Sequence, residues 1–176
     1  ARQGFKIALL EADAVGSHAS GFAFGEMGAL DGAGIPDPLL EFSLWSMSRH
    51  HTLSMELKDV SGVDNQFQFG GRLKLAFNES EVLSYQKQLE WQREVKALDV
   101  TWLDVKEVVE VEPQANPACL GGVYVQRAGA VEPYRHNLAA AQSAEKLGTE
   151  ILSRRVTGLL TAGDRCVGVT FQEGLR

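Results

Sequence analysis

Cysteine is scarce in this chain. Only Cys119 and Cys166 occur among 176 residues, far apart and without metal-ligand spacing. That argues against a disulfide framework or a thiolate metal site, and two reduced thiols in a cytoplasmic chain are expected. Basic runs are missing as well. Lys and Arg total 17 against 23 Asp and Glu, a net charge of −6, so nucleic acid and anionic membrane are not expected partners. No apolar stretch reaches the roughly 20 residues that a spanning helix needs, and no signal-peptide pattern is visible. Internal repeats and low-complexity linkers are also lacking. The Gly-rich fingerprint G-x-G-x-x-G does not occur: GEMGALDGAG has glycines at other spacings and no strand before it. What is present is ordinary for a globular chain, with 44% hydrophobic and 23% charged residues, enough to build a real core.

The order of elements can be read from periodicity and punctuation. Phe5–Glu11 (FKIALLE) predicts a short buried strand, and 12–34 a long Gly/Ala-rich loop of the kind that usually carries function. Asp37–Pro38 predicts a helix start, with Leu40, Leu44, Met47 and Leu53 near a helical period to about Lys58. Phe67 and Phe69, then Leu73, Leu75 and Phe77, alternate around Gly70–Gly71, as in a β-hairpin or two sheet strands. Asn78 with Glu81 resembles a capping box and opens a helix to about Leu98. A strand around Trp102 follows, then a helix VKEVVEVE capped by Asp104 and stopped at Pro113. LGGVYVQ is a strand, and Glu132–Pro133 opens a helix ending at Gly148. Glu150–Leu152, Val156–Thr161 and Cys166–Phe171 complete the chain as short strands, with a turn at Gly163–Asp164. Strand–helix–strand units at both ends predict an α/β (α+β) domain with a sheet-rich insertion in the middle. Both ends, ARQGFKIALLE and FQEGLR, lie against strands and read as cuts.

LLEADAVGSHASGFAFGEMG carries the chemistry. In a dinucleotide-binding fold a strand about 20 residues beyond the phosphate turn ends in Asp or Glu, which accepts hydrogen bonds from the adenosine ribose. Glu11 suits that position. A carboxylate accepts two hydroxyl donors and repels a 2′-phosphate, so FAD or NAD fits better than NADP. Gly16, Ala19, Gly21, Ala23 and Gly25 leave room for a ligand against the backbone, and Ser17 and Ser20 offer hydroxyl donors to phosphate oxygens. On this reading the first strand and its phosphate turn lie upstream of Ala1.

Three blocks, LLEADAVGSHASGFAFGEMG, SGVDNQFQFGGRLKLAFNESEV and AGAVEPYRHNLAAAQSAEKLGTEIL with RRVTGLL, resemble the FAD-dependent D-amino-acid oxidase superfamily, and within it the glycine-oxidase-like members. The resemblance runs almost end to end. It implies a partial Rossmann-like FAD-binding domain formed by 1–58 and 132–176, and a partial substrate domain formed by 59–131. It further implies non-covalent FAD and oxidation of an amine or amino acid at its C–N bond. By this resemblance Glu11 is the ribose-binding acid with Ala12 beside it. Ala19 and Ser20 accompany the pyrophosphate and ribityl chain. Phe24, Gly25 and Glu26 form the stretch near the flavin ring, and Val156 meets the adenine edge through its backbone. The sequence departs from the family at Phe24, where a small residue is usual, and at Glu26, where an apolar one is usual. The arginine that binds the substrate carboxylate in the family lies in its C-terminal half, so no catalytic residue is named.

Other features receive plainer readings. His18 reads as a solvent-facing or phosphate-side histidine rather than a flavin attachment point. His50 and His51, adjacent on a helix, diverge and cannot share a metal, so no metal is expected. Trp45, Trp91 and Trp102 read as packing residues. Arg72 reads as a surface or strand-edge arginine. The alternative to an oxidoreductase fragment is a non-catalytic interaction module or half of a split flavoprotein completed by another chain. A nicotinamide-dependent dehydrogenase is a weaker third reading, since a sheet-rich insertion follows the first strand and loop. A homo-oligomer or a complementing chain is left open.

Overall fold

The computed structural model describes residues 3–29 and 38–172. The expected helix cap at Asp37 and the end of the long loop lie outside these residues. The chain divides into two compact units, one formed by Ala1–Phe24, Leu53–Gln66 and Glu132–Arg176, the other by Gly25–Thr52 and Phe67–Val131.

In the first unit a parallel pair joins β1 (Ala8–Glu11) to β8 (Glu150–Ser153), with Ala8 opposite Glu150 and Glu11 opposite Ser153. Parallel neighbours require a crossover, and α4 (Pro133–Lys146) runs directly into β8. Glu132 caps α4 by accepting from Tyr134 N and Arg135 N, and Pro133 occupies the first turn, where its missing N–H costs nothing. β9 (Arg155–Ala162) and β10 (Arg165–Gln172) form an antiparallel hairpin. The last residues of α1 (Leu40–Ser61) also belong here. Leu57 and Ser61 are buried, Ser143 Oγ donates to Leu57 O at 3.4 Å, and Lys146 Nζ donates to Ser61 O at 3.2 Å. β1 is shorter than expected and is not buried: Phe5 is 69% exposed, and Ile7 and Leu9 are each 41% exposed.

The second unit holds two three-stranded sheets, in the orders β2-β7-β3 and β4-β6-β5. Their strands are β2 (Glu26–Met27), β3 (Gln68–Phe69), β4 (Arg72–Ala76), β5 (Val100–Leu103), β6 (Gly121–Val125) and β7 (Gly129–Ala130). β3 and β4 are therefore not a hairpin. They enter different sheets, β3 against β7 and β4 against β6. β2 lies inside the stretch expected to be loop. α2 spans Glu79–Gln92 with Asn78 as its cap, and the expected continuation to Leu98 is instead a short 3-10 turn at Lys96–Leu98. Asp99 adopts φ +51, a left-handed conformation incompatible with a continuing helix. α3 (Val105–Val111) carries a complete capping box, with Asp104 accepting from Glu107 N and Glu107 accepting from Asp104 N. Leu103, Val108 and Cys119 form a core cluster, covered by Leu73, Leu75, Val105, Ala115 and Tyr124.

Among the described residues no helix is long and apolar enough to cross a membrane.

Candidate functional site

The site in the first unit starts where β1 stops. Glu11 sits at the carboxyl end of the parallel pair, the end at which open α/β sheets bind ligands. The Arg154 N–H donates to Glu11 O at 2.8 Å, which locks the strand end to the residue after β8. The side chain accepts the Asp13 N–H at Oε1, 3.0 Å away. Its other carboxylate oxygen has no partner among the described residues, so one acceptor is available for a hydroxyl.

Asp13 ties the loop to β9. It accepts from His18 Nε2 at 2.7 Å and faces Arg155 Nη2 at 3.7 Å. The His18 hydrogen bond, above all, holds its carboxyl below the ordinary range, with the Arg155 charge adding to this. Val156 follows Arg155 in β9, pairs with Phe171 of β10 and is 44% exposed.

The loop then folds back through two turns, with Ser17 N donating to Ala14 O at 3.0 Å and Gly21 N donating to His18 O at 2.9 Å. Gly21 has no space for a side chain, because a Cβ there would collide with the Gly16 carbonyl. Asn137 Nδ2 donates to Ser20 O at 3.0 Å and to Pro133 O at 2.8 Å, anchoring the loop on the first turn of α4. Ala19 and Ser20 are exposed on this anchored turn. Ser17 Oγ is shielded from solvent and has no hydrogen-bond partner among the described residues. Phe24 is 92% exposed, unusual for a ring of that size in a folded chain.

Gly25 and Glu26 belong to the second unit. Gly25 O accepts from Val131 N at 2.9 Å, and Glu26 pairs with Ala130 across β2 and β7. Glu26 Oε1 meets Arg72 Nε at 2.8 Å, with both side chains only about a third exposed, 32% and 37%. Arg72 is thus a paired arginine at a strand start. His50 and His51 are not simply solvent residues: both rings lie against Phe67, at 6.4 and 6.1 Å between centroids. His50 stacks on Phe67 and His51 on Phe69. A cavity of about 100 Å³ lies within this unit, lined by Leu44, Met47, Phe69, Leu98 and Val125 with Arg127. Among the described residues no group of three His, Cys, Asp or Glu side chains is placed to hold a metal.

Asp13, Asn137 and Arg155 were not singled out from sequence. Asp13 had a signal, an acid two residues past Glu11. The other two act through contacts between residues more than 100 positions apart in the chain.

A strand ending on a carboxylate, a glycine-bearing turn anchored on a helix and a parallel crossover pair are the features of a nucleotide-binding α/β fold. The chain belongs to the family of FAD-dependent oxidoreductases, whose model matches residues 1–176. It is 36% identical over 152 residues to the glycine oxidase of Bacillus licheniformis, covering 86% of this chain and 39% of that protein. The crystal structure of glycine oxidase from Bacillus cereus superposes with a TM-score of 0.88 at 28% identity, over 98% of this chain and 48% of that one. Glycine oxidase from Geobacillus kaustophilus superposes with a TM-score of 0.85 at 27% identity, over 90% of this chain and 43% of that one. The chain therefore spans less than half the length of these relatives. FAD is the family's cofactor, and the available Glu11 oxygen, the shielded Ser17 hydroxyl and the Gly16–Gly21 turn without side-chain bulk fit a nucleotide.

Proposed function

We propose that this chain supplies the adenosine side of an FAD site and part of the substrate domain of an enzyme that oxidises an amino acid or secondary amine. The substrate is of the glycine, sarcosine or D-amino-acid type, and its C–N bond becomes an imine. The observation that carries this reading is the placement of Glu11 at the carboxyl end of β1, beside the anchored loop. FAD, when bound, supplies the two-electron acceptor. Glu11 holds the ribose through its available oxygen, with Ala12 alongside. Ala19 and Ser20 line the pyrophosphate and the Ser20 hydroxyl donates to it. Phe24, Gly25 and Glu26 run beside the flavin ring, and the backbone of Val156 meets the adenine. The first compact unit is then the FAD-binding part and the second the substrate part. Reduced Cys119 and Cys166 suit a cytoplasmic enzyme.

The test is made on the protein expressed from its complete reading frame. It should purify yellow and release peroxide, or reduce a dye, with glycine, sarcosine or a D-amino acid. Glu11→Ala should weaken FAD retention by roughly 10- to 100-fold, the worth of a hydrogen bond to a charged group. A colourless protein that accepts no flavin would sink the proposal. The exposed Phe5 and Ile7 ahead of β1, and Leu9 on it, would then favour the second reading, a module completed by another chain.

A further inference from the structure

We infer that the cavity of the second compact unit is an accessory binding site for a short-chain monocarboxylate, with the apolar tail inside and the carboxylate on Arg127. The inference goes beyond the proposed oxidation and does not depend on it, because every wall of the cavity lies within that one unit.

The walls come from four places in the chain. α1 contributes Leu44 and Met47, β3 contributes Phe69, the 3-10 turn at Lys96–Leu98 contributes Leu98, and β6 ends on Val125. Two of them are firmly fixed. Leu98 is 2% exposed, and Val125 lies on the central strand of its sheet, opposite Arg72 on one side and Val100 on the other. An apolar lining offers water few partners and so favours an apolar guest. Apolar cavities of about 150 Å³ hold one benzene ring, so this one, of about 100 Å³, has room for roughly four carbons.

Charge selects the other end of the guest. Among the described residues Arg127 is the one charged member of the lining, and its side chain is 66% exposed, which puts the guanidinium at the mouth. The turn that carries it is held on both sides: Gln126 N donates to Asp99 O at 3.1 Å, and Ala128 N donates to Val125 O at 3.3 Å. Asp99 stands 4.0 Å from the guanidinium, at the outer limit for an ion pair, and is itself half exposed, so an incoming carboxylate can compete with it. Ser48, the one hydroxyl in the lining, already donates to Trp45 O at 2.7 Å. Arg127 is then the donor that tells an anion from a neutral guest. Burying one methylene is worth about fourfold in affinity, whereas an exposed ion pair is worth roughly fivefold at most. The tail therefore supplies most of the affinity and Arg127 the choice of head group. A second charge at the far end of the tail would have to enter apolar space, which excludes dicarboxylates.

The experiment is calorimetry on the protein from its complete reading frame, titrated with acetate, propanoate, butanoate, pentanoate and heptanoate. Affinity should rise about fourfold per added carbon up to pentanoate and level off at heptanoate, once the cavity is full. Pentanamide, which is uncharged, and glutarate, which carries a second carboxylate, should both bind more weakly than pentanoate. Arg127→Gln should weaken pentanoate by roughly three- to fivefold. Asp99→Asn should strengthen it by about twofold, because Asn tolerates the left-handed backbone at this position and removes the competing charge. Ala97→Leu adds bulk to the lining and should flatten the chain-length gradient while leaving acetate unchanged. Urea midpoints of the variants separate a loss of folding from a loss of binding. Wild type that takes up no pentanoate overturns the inference. So does a gradient that survives intact in Ala97→Leu, or a pentanoate affinity that neither charge variant moves, since either result places the carboxylate elsewhere. Should Ala97→Leu fail to fold, Arg127→Gln and Asp99→Asn, expected to move in opposite directions, decide the matter alone.

Discussion

His136 carries the clearest single-residue pH dependence. Burial pushes its pKa down, and Asn65 Nδ2 lies 2.9 Å from His136 Nδ1 while also donating to Ser54 Oγ at 3.0 Å. An amide N–H donating to Nδ1 requires the neutral ring. The unfolded chain titrates near the ordinary histidine value of about 6.5. Between that value and the lower folded one the unfolded state binds more protons, so stability falls as pH drops through this window. Urea midpoints at pH 7.5 and 5.5 should show that loss, and His136→Gln should flatten it. An equal slope in the variant would place the dependence elsewhere. Asp13 and Asp64, whose pKa values are lowered chiefly by hydrogen bonds from His18 and Lys58, act in a separate window. Their contributions are present above the ordinary carboxylate range and disappear only as pH falls through the depressed folded values. At this scale the sequence was informative about Glu11, whose position after an apolar run is a local feature. It was silent about Asn65 and His136, which meet across 71 positions of chain.

Helix starts were the most legible elements. Asn78, Asp104 and Glu132 each precede a helix and each accepts backbone N–H bonds there, because capping is a contact over two or three residues. Asp104→Ala removes two such bonds, to Lys106 N and Glu107 N, and leaves α3 beside the Leu103–Val108–Cys119 cluster. The expected loss is about 1 kcal/mol in denaturant titration, and Glu107→Ala should cost less because it removes one. A neutral Asp104→Ala would mean that packing of Val108 alone holds the helix. Helix ends were harder to read. α2 stops at Gln92 although the apolar period runs on, and the chain continues through a 3-10 turn at Lys96–Leu98 in which Leu98 is buried. β2 and β7, two residues each, are too short for any period to reveal.

For the whole molecule, in the proposed function the loop and β1 offer FAD a ribose acceptor and a turn, but the chain carries no G-x-G-x-x-G. That motif supplies both close backbone approach to the pyrophosphate and the helix N-terminus that stabilises its charge. The 176-residue chain by itself should therefore retain FAD weakly, which equilibrium dialysis or flavin fluorescence quenching would show. Tight, stoichiometric binding would mean that this chain completes the phosphate site by other means. The division of labour between sequence and tertiary structure follows from range. Local chemistry, written in adjacent residues, determined where the capped helices begin, that an acid closes β1 and that small residues follow it. Tertiary structure decided what depends on partners far along the chain. It set β1 against β8, parted β3 from β4 into separate sheets, pinned the loop through Asn137 and Arg155, and turned Arg72 from a strand-edge cation into the partner of Glu26. Strand pairing and ion pairing take their energy from whichever surfaces folding brings together, and one-dimensional spacing does not contain that distance.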